Sequence, residues 1–224
     1  MNLKYFLNRI VYPTCIVIVS VVISICVTRY MTLKEIGLIA PQVFSIASEP
    51  VELKDFDNRY ASFLPDEVAQ YIVDISNNFG VDPTIVVSIL EVENPLLDPN
   101  ALSKPNLNGS VDMGLFQLNA RSLYEPNGFL ERWWPSTLPE FDEYNWKHNA
   151  YIAIKYIKYL SGIFGYNNVF YIAAGYNAGD RRAFNEFSKA KNTEPLPEIT
   201  KKRYAPQVEN NYKKWLRSFQ VEDL

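Results

Sequence analysis

Cysteine and histidine are almost absent from this sequence. Both cysteines, Cys15 and Cys26, lie in one apolar segment near the N-terminus, and His148 is the only histidine in 224 residues. The chain beyond residue 26 therefore has no disulfide framework and no cysteine metal site, and a single histidine excludes a His-rich zinc site. We expect a structural or exposed role for His148, and a function that requires no metal or other cofactor.

A strong net charge is also missing. The chain carries 22 basic and 25 acidic residues, for a formal net charge of −3 and a pI of about 5.3. This balance provides no basic surface for nucleic acid, so we expect no nucleic-acid partner. The basic residues that do cluster, at 201–203 and 213–217, are typical of the solvated face of a helix.

Charge is missing altogether from residues 10–27, IVYPTCIVIVSVVISICV, which follow the basic residues Lys4 and Arg9. At about 1.5 Å per residue, a helix of this length just reaches across the roughly 30 Å core of a bilayer. We interpret residues 1–30 as a membrane anchor or uncleaved signal. The alternatives are a cleaved secretory signal and a lipoprotein signal at Cys26, although the preceding Ile25 is bulkier than is usual there.

Strand patterns are scarce in the rest of the chain. Residues 31–58 show no sustained period and contain Pro41 and Pro50, so we predict a linker. Residues 59–224 are predicted to form a single domain that is mainly helical, because their apolar residues recur with helical spacing.

Several helix boundaries and one turn can be predicted within this domain. Asp66 and Asp82 stand at helix starts, the second with Pro83 at the first helical position, and residues 145–165 form a long amphipathic pattern. The pair Asn108-Gly109 predicts a tight turn inside a small hairpin.

Two glutamates near the end of the segment PTIVVSILEVE differ in their predicted surroundings. At about 100° per residue, Glu93 falls about 20° from Val86, in the middle of the apolar arc, whereas Glu91 falls about 140° away, beside Ser88. Glu91 is therefore expected at the surface. Glu93 is either half-exposed and bridged to a distant cation, or buried with a raised pKa that lets it donate a proton near neutral pH.

Three motifs occur in order along the chain: GVDPTIVVSILEVENPLLDPNALS, GSVDMGLFQLN and AAGYNAG. Together they resemble the soluble lytic transglycosylases of the lysozyme-like superfamily, over roughly residues 65–216. The residues that match the family motifs are Glu93, Asp98, Pro99, Ala101, Ser103, Gly114, Leu115, Gln117, Tyr176, Asn177 and Gly179, with Asn149, Tyr156, Thr200 and Tyr204 as further matches. Asn94 stands where the family has serine, and Phe116 where methionine is usual.

The resemblance implies a mainly α, lysozyme-like (goose-type) helical domain with a small hairpin. The transmembrane helix predicted from the uncharged run precedes this domain. The resemblance also implies an enzyme that cleaves the MurNAc-β-1,4-GlcNAc bond of peptidoglycan and forms 1,6-anhydro-MurNAc. Glu93 would act as general acid and then as base, while Gln117, Tyr176 and Asn177 would bind the sugars. Asp112 resembles the aspartate that faces the glutamate in animal-type lysozymes, and we count it as a substrate-binding candidate.

Two alternatives to this function stay open. A hydrolytic muramidase would use Glu93 together with Asp112, and an inactive module would bind glycan as a scaffold. The expected location is the inner membrane, with the catalytic domain in the periplasm or cell-wall space. The expected partners are peptidoglycan strands, the membrane and an unidentified protein of an envelope machine.

Overall fold

The structure, a computed structural model, describes residues 58–190 and 194–222. The predicted anchor and all but the last residue of the predicted linker lie outside the described residues, so both stay predictions. Within the described ranges, no helix combines the length and the apolar character that a membrane span requires.

The first two helices begin and end at the predicted signals. Helix α1 (Asp66–Phe79) ends at Gly80, whose φ of 62° is left-handed and suits glycine. Helix α2 (Pro83–Glu93) is capped by the Asp82 carboxylate, which accepts a hydrogen bond from the Thr84 N–H. Both predicted helix starts are confirmed.

A small hairpin follows α2. Strand β1 (Asp112–Met113) pairs antiparallel with β2 (Leu118–Asn119), and the chain turns between them at residues 114–117. Gly114 has a φ of 75°, and an added Cβ would lie 2.3 Å from the carbonyl oxygen of Glu143, so this turn requires glycine.

The predicted turn at Asn108-Gly109 is present but does not join the two named strands. It lies in the loop before β1, where the Gly109 N–H donates to the carbonyl of Asn106 over 2.8 Å. This loop is closed by an isolated antiparallel bridge between Leu102 and Met113. The turn is therefore predicted correctly, but it lies one segment before the paired strands.

The second half of the described chain is almost entirely helical, and its elements pack into one core. These elements are α3 (Ala120–Tyr124), α4 (Phe129–Trp133), α5 (Trp146–Phe164), α6 (Val169–Ala178), α7 (Asp180–Phe187), a π-helical turn (Thr200–Tyr204) and α8 (Ala205–Glu222). Helix α5 packs on α1 and α6, while α8 packs on α2 and α6. The predicted long amphipathic helix corresponds to α5, which is capped by Asn145.

Helix α2 is buried more completely than its sequence pattern predicts. Every residue from Thr84 to Leu90 is buried, including Ser88 on the side predicted to be polar. The Ser88 hydroxyl donates to the Thr84 carbonyl over 2.6 Å, which satisfies it inside the core. The prediction that α2 has a polar side is therefore wrong, because α1 and α8 enclose the helix.

His148 has the structural role expected of it. Its Nδ1 accepts a hydrogen bond from the Asp142 N–H over 3.1 Å, and its ring packs near those of Trp134 and Phe141. Burial lowers the pKa of His148, which favours the neutral ring. These contacts tie the loop before α5 to the helix.

The late basic residues lie on exposed surface, as predicted. Lys202 pairs with Glu198 and Lys213 with Glu209, both across one helical turn. Exposed pairs of this kind contribute little to stability.

Candidate active site

One cleft of about 610 Å³ contains all five residues that the sequence singles out as site candidates. Its borders are the end of α2, the hairpin, α4, the junction of α6 and α7, and the π-helical turn. The candidate residues on its lining are Glu93, Asp112, Gln117, Tyr176 and Asn177. The structure therefore brings together residues that are up to 84 positions apart in the chain (from 93 to 177).

Glu93 is the last residue of α2 and lies partly buried in the cleft. Burial raises the pKa of Glu93 to about 8, the nearby Asp112 charge also raises it, and a hydrogen bond from Tyr204 lowers it. A carboxyl group with this pKa is protonated at neutral pH and can donate its proton.

Tyr204 is the hydrogen-bond partner of Glu93. Its hydroxyl donates to Glu93 Oε1, and the π-helical turn at the start of α8 places it there. Desolvation and the neighbouring Glu93 charge raise the pKa of Tyr204 well above its ordinary value, so the hydroxyl keeps its proton. Tyr204 can therefore steady Glu93 both before and after the glutamate gives up a proton.

Tyr176 supports the same region from α6. Its hydroxyl donates to the carbonyl of Phe116 over 2.9 Å, which ties α6 to the hairpin turn. The centre of its ring lies 5.5 Å from that of Tyr156, and the centre of the Phe129 ring lies 4.6 Å from that of Tyr156. Because Phe129, Tyr156 and Tyr176 all line the cleft, they form an aromatic wall on which a sugar face can pack.

Gln117 has a strained backbone held by its own side chain. Its φ of 48° is unusual for a residue other than glycine. The carboxamide nitrogen donates to Gly114 O over 2.9 Å and to Ala101 O over 3.2 Å. Within the described part of the chain, the carboxamide oxygen of Gln117 has no donor, so it is available to a ligand hydroxyl.

Thr200 orients Asn177. Thr200 matches a family motif in the sequence, but the match alone predicted no role for it. The Thr200 hydroxyl donates to Asn177 Oδ1 over 2.6 Å. Among the described residues the amide nitrogen of Asn177 has no acceptor, which leaves two N–H donors for a bound sugar.

Asp112 lies across the cleft from α2, on β1. Its carboxylate accepts hydrogen bonds from Asn119 Nδ2 at 2.7 Å and from Asn106 Nδ2 at 3.2 Å. It is close enough to Glu93 to contribute to the raised pKa of that residue. Within the described ranges, no group of three or more His, Cys, Asp or Glu side chains is arranged to hold a metal ion.

Two buried asparagines hold the cleft together. Asn94, in the place of the family serine, donates to Asp98 O over 2.7 Å and to Leu115 O over 3.2 Å. Asn149 accepts from the Phe116 N–H over 2.7 Å and belongs to α5. Asn94 therefore ties the end of α2 to the following turn and to the hairpin, and Asn149 ties the hairpin to α5.

Glu91 is not the surface acid that the sequence pattern predicts. Its side chain is 20% exposed and forms an ion pair with Lys214 at 2.7 Å. It also accepts a hydrogen bond from Trp215 Nε1 over 3.0 Å. Both partners lie on α8, far away in the sequence, and a helical wheel of α2 alone contains no information about them.

Comparisons with known proteins identify a family and a similar fold. The model of one protein family, the Transglycosylase SLT domain, matches residues 70–198. None of the curated proteins compared with the chain matches it.

A solved structure with a similar fold is that of an inactive mutant of lytic transglycosylase Slt from Pseudomonas aeruginosa. It superposes with a TM-score of 0.51 at 16% identity, covering 67% of this chain and 24% of that one. The chain thus spans about a quarter of that protein, and the likeness concerns the fold. The predicted resemblance and the mainly helical fold with a small hairpin are confirmed.

Proposed function

We propose that this chain, which belongs to the Transglycosylase SLT domain family, is a peptidoglycan lytic transglycosylase with Glu93 as its general acid and base. The observation that carries the proposal is the state of Glu93. Its carboxyl group lies in a substrate-sized cleft with a pKa of about 8 and a tyrosine hydroxyl bound to it.

The reaction follows from that state. Protonated Glu93 donates to the glycosidic oxygen between MurNAc and GlcNAc while the bond from that oxygen to C1 breaks and positive charge develops at C1. The Glu93 carboxylate then takes the proton of the 6-hydroxyl of the same MurNAc, and O6 bonds to C1. The product is 1,6-anhydro-MurNAc, Glu93 is again protonated, and no water is consumed.

Other cleft residues support these two proton transfers. The Tyr204 hydroxyl stabilises the Glu93 carboxylate between the steps, because a hydrogen bond to a charged acceptor is stronger than one to a neutral group. Gln117 and Asn177 offer a hydrogen-bond acceptor and donors to the sugars. Holding the 6-hydroxyl next to C1 replaces an encounter with water by an intramolecular attack.

A hydrolytic muramidase is the second candidate, and the position of Asp112 favours it. A carboxylate across the cleft from the acid is the arrangement of glycosidases that use two carboxyl groups. Asp112 accepts hydrogen bonds from the amides of Asn106 and Asn119, which fix its position, and the products of the reaction decide between the two candidates. An inactive glycan-binding scaffold has the least support, because sugar binding alone does not require a buried carboxyl group.

Product analysis tests the proposed reaction. We expect peptidoglycan digested by the protein to release fragments that end in 1,6-anhydro-MurNAc, each lighter by one water than a hydrolase product. Mass spectrometry before and after borohydride reduction distinguishes them, because only reducing ends gain hydrogen. Dominant reducing ends would establish the muramidase instead.

We further propose that the chain is anchored in the inner membrane, with the cleft on the cell-wall side, where its substrate lies. The uncharged run at residues 10–27 supports this location. Full-length protein should sediment with membranes after a high-salt wash, whereas a chain beginning near residue 55 should be soluble and active. Recovery of intact full-length protein in the soluble fraction would contradict the anchor.

A further inference from the structure

Arg182 is the cationic side chain of the cleft. Of the residues that line the cleft in the described part of the chain, it alone is a lysine, arginine or histidine. The other charged types on the lining are Glu93 and Asp112. Since Glu93 is protonated at neutral pH, Asp112 and Arg182 are the two charges that a bound substrate meets.

The guanidinium of Arg182 has capacity for a further partner. Arg182 lies on α7, and its Nη2 pairs with Glu194 Oε1. The two side chains are 39% and 65% exposed, so solvent screens the pair and a competing carboxylate can share or replace it. Of the five N–H donors on an arginine, the remaining four have no acceptor among the described residues.

We propose that Arg182 binds a carboxylate on the substrate and thereby selects muramic acid-containing strands over neutral glycans. The inference rests on the proposed function. The sugar rings of peptidoglycan are uncharged, and its carboxylates are the lactyl group of peptide-free MurNAc or those of the attached stem peptide. Either is a planar anion that guanidinium can bind through two parallel hydrogen bonds.

The charge of the cleft supports this assignment. Without Arg182, an anionic substrate would meet the Asp112 carboxylate with no compensating cation on the cleft lining. Arg182 balances that repulsion from the first turn of α7, just after Gly179, and it lines the same cleft as Asn177. A carboxylate held there would fix the register of MurNAc relative to the residues that act on its glycosidic bond.

The test measures binding, in a Glu93→Gln background that prevents cleavage. Three ligands are titrated by calorimetry: N-acetylglucosamine oligomers, which lack carboxylates; peptide-free glycan strands, which carry the lactyl carboxylate; and strands with stem peptides. Arg182→Gln is compared with Arg181→Gln, a matched control that removes an exposed arginine from the same helix outside the cleft. Glu194→Gln removes the competing carboxylate.

We expect Arg182→Gln to weaken binding of carboxylate-bearing strands by about ten- to hundredfold and that of neutral oligomers by less than about twofold. The strand type that shows the loss identifies which carboxylate is bound. Arg181→Gln should leave all three affinities unchanged, and Glu194→Gln should leave them unchanged or improve those of the charged strands.

An equal loss of affinity for all three ligands, or no loss of affinity for either charged strand, would overturn the proposal. So would a Glu194→Gln variant that loses as much affinity as Arg182→Gln, because it would show that the ion pair only holds the chain in place. The proposed reaction is tested separately, by analysing the products that the wild-type protein forms. If Arg182→Gln selectively loses binding of charged strands but the wild-type protein forms no anhydro product, the Arg182 site is supported and only the proposed transglycosylase reaction is excluded.

Discussion

The two sides of the cleft carry the same functional group in opposite surroundings. Glu93 ends α2, in which every residue from Thr84 to Leu90 is buried, and the Tyr204 hydroxyl donates a hydrogen bond to its carboxyl group. Asp112 lies on a short strand at the edge of the hairpin, where the amides of Asn106 and Asn119 donate to it. Burial raises the pKa of the Glu93 carboxyl to about 8, whereas hydrogen bonds hold the Asp112 carboxylate in place as an acceptor.

Under the proposed function, this difference assigns different chemical roles to the two carboxyl groups. A proton carrier needs a pKa near the working pH, and desolvation supplies that to Glu93. A carboxylate that accepts two amide hydrogen bonds is fixed in position, which suits it to stabilise charge or to orient a sugar. The following substitutions test whether the two sides differ as strongly in activity as they do in environment.

The largest effect is expected at the end of α2. Glu93→Gln keeps the shape of the side chain but cannot transfer a proton, so cleavage of peptidoglycan should fall by at least about a thousandfold. Glycan binding and the circular dichroism spectrum should stay unchanged. Steady-state release of soluble fragments measures the loss.

The control lies on the same helix. Glu91→Gln breaks the pair with Lys214 and should lower the free energy of unfolding by about 1 kcal/mol while activity changes by less than about twofold. Comparable damage to cleavage by both substitutions would show that the end of α2 is needed for structure rather than for proton transfer.

A smaller effect, with a change in pH dependence, is expected from Tyr204→Phe. The hydroxyl lowers the pKa of Glu93, so its removal raises that pKa further. Glu93 must be protonated to act as acid, and activity is therefore lost as pH rises through about 8. In the variant this loss should shift to higher pH, and the maximal rate should fall by about tenfold because the carboxylate loses its donor. Rates measured from pH 5 to 10 would show both effects, and an unshifted limb would exclude Glu93 as the titrating acid.

The smallest effect is expected on the hairpin side. Asp112→Asn should reduce the rate by about two- to fivefold, the size of a single solvent-screened charge interaction. It should also lower the pKa of Glu93, because the neighbouring negative charge raises it. A loss as large as that of Glu93→Gln would instead make Asp112 a nucleophile or base, and the two sides of the cleft would then be chemically equivalent.

The regions that sequence reasoning predicted well are those governed by local rules. The cap and proline at the start of α2, the glycine after α1 and the amphipathic pattern of α5 each depend on neighbours within a turn or two. The site candidates were selected largely because they belong to ordered motifs, and the structure places all five on one cleft, although the motifs carried no distances.

Sequence reasoning failed where a partner lies far along the chain. Tyr204 reaches Glu93 across 111 positions, and Glu91 meets Lys214 across 123. Ser88 is buried because α8 and α1 enclose a helix whose own pattern suggested one exposed side. A helical wheel describes one helix against a single core, so it cannot anticipate a second layer.

By itself, the sequence determined the mainly helical domain, the starts of its first two helices and the family resemblance, and it selected Glu93 as the candidate acid, because each is encoded by local capping, period or motif. The tertiary structure alone decided the burial that raises the pKa of Glu93, which tyrosine binds it, and that Asp112 and Arg182 line the same cleft. These properties depend on burial and on distances between side chains from separate elements, and only the packing of those elements creates them.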